Sequence, residues 1–117
     1  VFSDPNCPYC KHLEEDLKKL ENVTIYTFIF PVKPQSVAVS KDVWCSENRA
    51  YAWQNLIEKG LQPKQKSCEN PINRNLALGK KLGLNGTPAL IFSNGWKEMG
   101  AVPASEIEVI FRQIEAQ

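Results

Sequence analysis

The sequence lacks the features that mark membrane-spanning, nucleic-acid-binding and repetitive proteins. None of its apolar runs approaches the roughly 18 residues that are needed to cross a bilayer. Its 14 basic and 13 acidic residues are interspersed and leave a net charge of only +1, which argues against nucleic acid or an anionic membrane as the main partner. Internal repeats and low-complexity segments are absent as well. What remains is a chain of 117 residues, 43% of them hydrophobic, which suits one domain with one buried core.

A signal peptide and an initiating methionine are also missing. The chain begins with Val1-Phe2, an apolar pair that is typical of the inside of a strand. We therefore expect this chain to be part of a longer protein, whose N-terminal part would supply the start of the first strand.

Two cysteines, Cys7 and Cys10, stand where an extended segment turns into a helix. Asp4-Pro5-Asn6 is typical of a turn, and leucines recur at helical spacing after the pair, so we expect a helix to begin near Cys7 or Pro8. The sulfur of Cys7 would then lie beside unpaired N–H groups at the positive end of the helix dipole, which favours the thiolate. Cys7 is therefore the predicted nucleophile. Cys10, about one turn further in, is predicted to be shielded and to resolve a mixed disulfide at Cys7.

The same cysteine spacing occurs in zinc sites, so a zinc-binding structural domain is an alternative interpretation of the pair. A zinc site would normally add a second closely spaced pair. The remaining cysteines, Cys45 and Cys68, are 23 positions apart, and His12 is the only histidine. The residues therefore favour a redox pair and predict no metal.

The second pair of cysteines has two possible states. If Cys7 pairs with Cys10, Cys45 and Cys68 remain to form a bridge, which on the chain-entropy model would stabilise the fold by roughly 3 kcal/mol. The alternative is two buried free thiols. An even number of cysteines suits an oxidising compartment.

The first half of the chain predicts a strand, a helix, a second strand and a helical segment. In the first helix the charged residues are expected to form the exposed face and to pair with one another four residues apart: Glu14, Glu15, Lys18 and Lys19. Residues 23–30 are mainly β-branched and aromatic, which predicts a strand covered on both faces at the centre of a sheet. Residues 36–60 predict two helices with a break near Cys45-Ser46, where Ser46 would cap the second helix and Gly60 would end it.

The second half predicts a helix, a hairpin and a last helix. Asn70-Pro71 is typical of a helix start, and Asn94-Gly95 is typical of the turn between two antiparallel strands. Pro103 is expected to open the final amphipathic helix.

Taken in order, these motifs resemble those of the thioredoxin fold, and within it the catalytic domain of bacterial periplasmic disulfide isomerases of the DsbC/DsbG type. The resemblance covers essentially the whole chain. It rests on Val1-Phe2-Ser3-Asp4, Cys7-Pro8-Tyr9-Cys10, Phe30-Pro31, Trp44-Cys45, Ser67-Cys68 and Gly86-Thr87-Pro88-Ala89. The expected architecture is a thioredoxin-like α/β fold over residues 1–117, with a helical insertion at about residues 36–69 after the second strand.

The resemblance implies roles for further residues. Pro88 is expected to be cis, and Thr87 and Pro88 to face the active-site sulfur and bind extended substrate. Cys45 and Cys68 are expected to form the structural disulfide. Pro8-Tyr9 resembles the DsbG-type pair, whereas the loop before the hairpin resembles the DsbC type.

Two positions near the pair carry open alternatives. Tyr9, which must be largely exposed, is either a substrate contact or a residue without a role. Six residues before Cys7, where cytosolic thioredoxins resemble one another in carrying a buried acid, this chain has Val1. The sequence therefore names no side chain as the proton acceptor for Cys10.

The predicted function is a thiol-disulfide oxidoreductase that reduces or isomerises wrong disulfides in secreted proteins, in the bacterial periplasm and without a cofactor. The alternative from another class is a chaperone-like module that binds unfolded chains. By the resemblance, the expected partners are unfolded or misoxidised secreted proteins and a membrane thiol reductase. Isomerases of this family are usually dimers joined through an N-terminal dimerisation domain, so we expect a homodimeric full-length protein and a monomeric chain here.

Overall fold

The computed structural model, which describes all 117 residues, contains four short strands and five helices. In chain order they are β1 (Phe2–Ser3), α1 (Pro8–Leu17), β2 (Phe28–Ile29), α2 (Val37–Cys45), α3 (Arg49–Lys59), α4 (Ile72–Lys81), β3 (Ala89–Ile91), β4 (Lys97–Met99) and α5 (Ala104–Glu115). A short 3-10 turn at Pro34–Ser36 leads directly into α2. This order confirms the predicted α/β class with two inserted helices after the second strand.

The sheet has the strand order β2-β1-β3-β4. β1 runs parallel to β2, with Phe2 opposite Phe28, and antiparallel to β3, with Phe2 opposite Ala89. β3 and β4 form the predicted hairpin, in which Ala89 lies opposite Met99. The two central strands are therefore β1, which precedes the cysteine pair, and β3, which follows the Thr87-Pro88 pair.

The prediction for residues 23–30 is wrong in extent and in position. Only Phe28–Ile29 is paired, and β2 lies at the edge of the sheet, not at its centre. Tyr26 is 72% exposed, and Ile25 is exposed as well. Part of this apolar run still packs against neighbouring residues, because an edge strand covers one of its two faces. The ring of Phe28 stacks on that of Phe2 with centroids 4.8 Å apart.

The inserted helices confirm the predicted break, but a different residue caps the second one. Asn48 is the N-cap of α3, and its side-chain oxygen accepts from the Tyr51 N–H at 3.0 Å. Ser46 instead follows the last turn of α2, where its hydroxyl donates to the Asp42 carbonyl. Gly60 ends α3 as predicted, with a φ of 69° that glycine adopts without strain.

Glu14 is not on the exposed face of α1, contrary to the prediction. It is only 5% exposed, and its carboxylate accepts hydrogen bonds from the Trp53 indole N–H and from the side-chain amide of Gln54 on α3. A buried carboxylate is tolerated when such donors replace water. Lys18 pairs with Glu15 and Glu58, so the predicted i,i+4 pattern is replaced by contacts that include the inserted helix.

Helices cover both faces of the sheet, because successive residues of β3 point to opposite sides. Leu90 packs with Leu13 and Leu17 of α1 and Ile107 of α5. On the other face Ala89, which precedes Leu90 in β3, packs with Phe2, Phe30 and Leu84. Leu76 of α4 packs against this cluster.

A third cluster surrounds the cysteine pair. Cys7 and Cys10 pack with Val43 of α2, Trp53 of α3 and Ile72 of α4. The inserted helices therefore form the apolar wall behind the two thiols. As for the helices themselves, none of them combines the length and the apolar composition that crossing a membrane would demand.

Candidate active site

Helix α1 begins at the cysteine pair, as the sequence predicts. Cys7 is the N-cap residue, with an extended backbone of φ −92° and ψ 120°, and Pro8 occupies the first turn. The first helical hydrogen bond runs from the Lys11 N–H to the Cys7 carbonyl at 3.1 Å. The N–H groups of Tyr9 and Cys10 thus have no carbonyl partner inside the helix, and both act on the Cys7 sulfur.

Cys7 is a free thiol, 6% exposed, whose pKa is lowered. Burial alone would raise the pKa of Cys7. Hydrogen bonds from the Thr87 side chain, from the Cys10 thiol and from the N–H groups of Cys10 and Tyr9 outweigh burial and bring the pKa below its usual value. Since the thiolate is the reactive form, this environment activates Cys7.

Cys10 is a free thiol with the opposite property. It is 1% exposed, and burial raises the pKa of Cys10 to about 11, although the Ser3 side chain, the Asp4 N–H and the Thr87 side chain favour its thiolate. The Asp4 N–H lies 3.4 Å from the Cys10 sulfur. The two thiols of one motif are therefore chemically unequal.

The fold brings Thr87 and Pro88 to the cysteines from 80 positions away in the chain. The Thr87 carbonyl oxygen lies 3.6 Å from the Cys7 sulfur, and the Thr87-Pro88 peptide is cis. Pro88 is fully buried, and its carbonyl accepts from the Gly100 N–H beyond the end of β4. One side of the site is thus formed by the entry to β3.

Two exposed residues flank the thiols. Tyr9, between the cysteines, is 68% exposed, and no hydrogen bond holds its ring. His12 is also exposed, on the outer side of α1. Of these two, only Tyr9 belongs to the first turn of the helix, next to the Cys7 sulfur.

Asp4 is a site residue that the sequence pattern does not predict, because Asp4-Pro5-Asn6 indicates only a turn. It is fully buried, and its carboxylate accepts from the backbone of Asn6 and of Lys33 and from the hydroxyl of Ser36. An aspartate that bonds the N–H two residues later is a recognised turn pattern, so the contact with Asn6 was predictable. The contacts with residues about 30 positions away were not.

The remaining cysteines, Cys45 and Cys68, are joined by a disulfide with Cα atoms 5.6 Å apart. Cys45 is buried at the end of α2, whereas Cys68 is exposed in the segment before α4. The bridge therefore ties the inserted helices to the start of the next helix. Nowhere in the chain do three or more His, Cys, Asp or Glu side chains converge as a metal site would require.

A central sheet flanked by helices, with a cysteine pair at a helix start beside the Thr87-Pro88 entry to β3, is the arrangement of a thioredoxin-like domain. The family model of the thioredoxin-like domain matches residues 1–115. The chain therefore belongs to the thioredoxin-like domain family.

Curated relatives carry disulfide-exchange names. The probable thiol:disulfide interchange protein DsbC of Bordetella pertussis is 40% identical over 109 residues, which are 92% of this chain and 39% of that protein. The thiol:disulfide interchange protein DsbC of Escherichia coli K12 is 31% identical over 114 residues, which are 48% of its length. This chain thus spans less than half the length of both relatives.

Two solved structures are also similar to this chain. A disulfide interchange protein from Neisseria gonorrhoeae is 39% identical, with a TM-score of 0.88 over 97% of this chain and 84% of that one. A periplasmic thioredoxin-like protein from Salmonella enterica, 24% identical with a TM-score of 0.79, shares the fold. The predicted resemblance and fold are therefore confirmed.

Proposed function

We propose that this chain is the catalytic domain of a periplasmic thiol-disulfide oxidoreductase that reduces or isomerises wrong disulfides in secreted proteins. Cys7 acts as the nucleophile and Cys10 as the resolving cysteine. The observation that carries the proposal is the opposite direction of the two pKa shifts, lowered at Cys7 and raised to about 11 at Cys10. At neutral pH Cys7 has the larger thiolate fraction, whereas Cys10 stays protonated.

In the first step the Cys7 thiolate attacks one sulfur of a substrate disulfide. A bond forms between Cys7 and that sulfur, the substrate disulfide breaks, and the other substrate sulfur leaves as a thiolate that takes up a proton. The hydrogen bonds at the Cys7 sulfur also make it a good leaving group later, because they stabilise its thiolate.

The mixed disulfide has two outcomes. If another thiolate of the substrate attacks it, a new substrate disulfide forms and Cys7 leaves as a thiolate, so the substrate is isomerised with no net change in oxidation. If Cys10 loses its proton and attacks the Cys7 sulfur, a Cys7–Cys10 disulfide forms and the substrate leaves reduced by two electrons. By family analogy, a membrane thiol reductase would then return those electrons.

Substrate binding is assigned to the Thr87-Pro88 segment and to Tyr9. The Thr87 N–H makes no backbone hydrogen bond within the chain, which leaves it free for an extended substrate strand beside the Cys7 sulfur. The exposed ring of Tyr9, between the two cysteines in the chain, offers an apolar surface with a polar tip.

The Cys45–Cys68 bridge supports the assignment to an oxidising compartment, where such bonds persist. Its role in the proposal is structural. The relatives are longer than this chain. By family analogy, the full-length protein is proposed to carry an N-terminal dimerisation domain and to be a homodimer. This chain alone is expected to be a monomer that reduces small disulfides and isomerises poorly; a tight dimer in sedimentation would contradict that.

The test is insulin reduction by purified chains that carry Cys7→Ala or Cys10→Ala. Cys7→Ala is expected to abolish reduction and covalent capture of substrate. Cys10→Ala, which removes the same side chain from the same helix turn, serves as the matched control and should still form mixed disulfides. Reduction that survives Cys7→Ala would overturn the proposal. Binding of unfolded chains that is equal with and without Cys7, together with no reduction, would instead indicate a chaperone-like module.

A further inference from the structure

Asp4 connects the cysteine pair to a distant part of the chain through a fully buried carboxylate. One oxygen accepts from the Asn6 N–H at 2.8 Å and from the Ser36 hydroxyl at 2.6 Å. The other accepts from the Lys33 N–H at 2.9 Å. Hydrogen bonds to an ionised acceptor are stronger than neutral ones, so these contacts fix the carboxylate in one orientation.

A fourth hydrogen bond joins two of the residues that contact the Asp4 carboxylate. The Asn6 side-chain amide donates to the Ser36 hydroxyl oxygen at 2.9 Å. Asn6 is therefore held at its backbone by Asp4 and at its side chain by Ser36. The turn between β1 and α1 is thus pinned to the 3-10 turn that precedes α2, about 30 residues further along the chain.

The peptide groups of the same residue contact both cysteines. The Asp4 N–H points at the Cys10 sulfur from 3.4 Å, and the Asp4 carbonyl accepts from the Cys7 N–H at 3.1 Å. Rotation of the Asp4 peptide groups would therefore move a hydrogen-bond donor away from the Cys10 sulfur, whereas at Cys7 it would change a contact of the backbone and not of the sulfur.

We propose that Asp4 is a positioning residue, whose carboxylate holds the turn so that its own peptide N–H supports the Cys10 sulfur during attack on the mixed disulfide. The proposal rests on the function proposed above. In that step the Cys10 thiol loses its proton, its sulfur bonds to the Cys7 sulfur, and the substrate sulfur leaves as a thiolate that is then protonated. An N–H aimed at the sulfur before reaction stabilises the charge that forms on it.

The chemistry of Cys10 explains why this contact matters. Burial raises the pKa of Cys10 to about 11, and the Asp4 N–H is one of only three groups that favour its thiolate. If the turn loosens, burial remains while the N–H loses its alignment. The resolving attack then slows, although the first attack by Cys7 depends mainly on other groups, namely Thr87 and the first turn of α1.

The test compares Asp4→Asn with Asp42→Asn in this chain. Asp42 is a matched control because its carboxylate also accepts from a backbone N–H, that of Lys66 at 3.1 Å, but lies on the inserted helix α2 and contacts neither thiol. The reduced chain is mixed with a chromogenic aromatic disulfide. Attack by Cys7 releases one coloured thiolate, and attack by Cys10 on the resulting mixed disulfide releases the second.

Asp4→Asn is expected to slow the second release about tenfold or more, the loss expected for one hydrogen bond to a charged group. The first release should remain as fast as in Asp42→Asn, and Asp42→Asn should match the unsubstituted chain in both. If the second release is equally fast in the two variants while only the unfolding midpoint of Asp4→Asn falls, Asp4 is merely structural and the proposal is wrong.

If Asp4→Asn fails to fold, Ser36→Ala provides the test, because it keeps the Asp4 carboxylate and removes one of the hydrogen-bond donors to that carboxylate. Its second release should be slowed in the same direction but less; a second release at the control rate would overturn the proposal. If the unsubstituted chain itself gives no second release, the proposed function fails, and with it this inference. The two failures are therefore distinguishable.

Discussion

Trp53 on the inserted helix α3 donates its indole N–H to the buried carboxylate of Glu14 on α1, with the two atoms 3.1 Å apart. Gln54 donates to the other oxygen of Glu14 at 3.4 Å. Glu14 lies four residues after Cys10, on the same side of the helix. The contact therefore joins the insertion to the helix that carries the thiols, and Trp53 itself belongs to the apolar cluster around them.

Glu14→Leu is predicted to destabilise the chain by about 1–3 kcal/mol, because it leaves the buried indole N–H without an acceptor. Glu14→Gln keeps an acceptor oxygen and should recover a large part of that loss. Urea unfolding measures both. Glu15→Leu, at the exposed neighbouring position, is the control, and an equal midpoint for Glu14→Leu and Glu15→Leu would show that the contact contributes nothing.

Gly79 of α4 packs against the ring of Phe30, and a methyl group at this position would overlap the ring atoms Cε1 and Cζ. Phe30 is buried and meets Phe2 edge to face, so its ring has little room to move. Gly79→Ala should therefore destabilise the chain by about 1–3 kcal/mol through overpacking, although alanine favours a helix by about 1 kcal/mol. Thermal unfolding of Gly79→Ala against Gly86→Ala, where nothing lies near the added methyl, tests this. A Gly79→Ala variant as stable as its control would contradict the packing argument.

Local patterns in the sequence predicted the site better than its surroundings. The start of α1 at Cys7-Pro8 follows from turn and helix-start residues within a few positions, and the hairpin follows from Asn94-Gly95. The edge position of β2 was not predictable, because an apolar, β-branched run has the same composition at the centre of a sheet and at an edge that packs one face. Glu14 was misplaced for a similar reason: its buried partners lie about 40 residues away.

Removing the Cys45–Cys68 bridge by a double substitution to alanine is predicted to destabilise the chain by about 3 kcal/mol on the chain-entropy model, since the cysteines are 23 positions apart. Insulin reduction should persist below the new unfolding midpoint, because the bridge lies outside the site around Cys7. The matched single variant Cys68→Ala leaves a free Cys45 and should be about as unstable. Activity that disappears in a folded double variant would mean that the bridge takes part in the reaction.

The stability of the reduced chain should depend on pH in two opposite ways. The pKa of Cys7 is lower in the folded chain than its ordinary value of 9.0, so Cys7 stabilises the fold above pH 9.0, and this contribution is lost as the pH falls through the folded pKa. The pKa of Cys10 is raised to about 11, so its contribution is complete below pH 9.0 and is lost as the pH rises to about 11. Urea midpoints of the Cys10→Ala and Cys7→Ala variants across this range isolate the two effects. Equal slopes of the same sign would contradict the assignment.

The most direct test of the central claim is a pH titration of the reduced chain, in which thiolate absorbance is followed and each alkylated cysteine is identified by mass spectrometry. Cys7 should ionise and react below pH 9.0 and before Cys10, which should remain unmodified until the pH approaches about 11. The disulfide between Cys45 and Cys68 should block both of these residues throughout. Simultaneous ionisation of the two thiols, or earlier reaction of Cys10, would contradict the division between an attacking and a resolving cysteine.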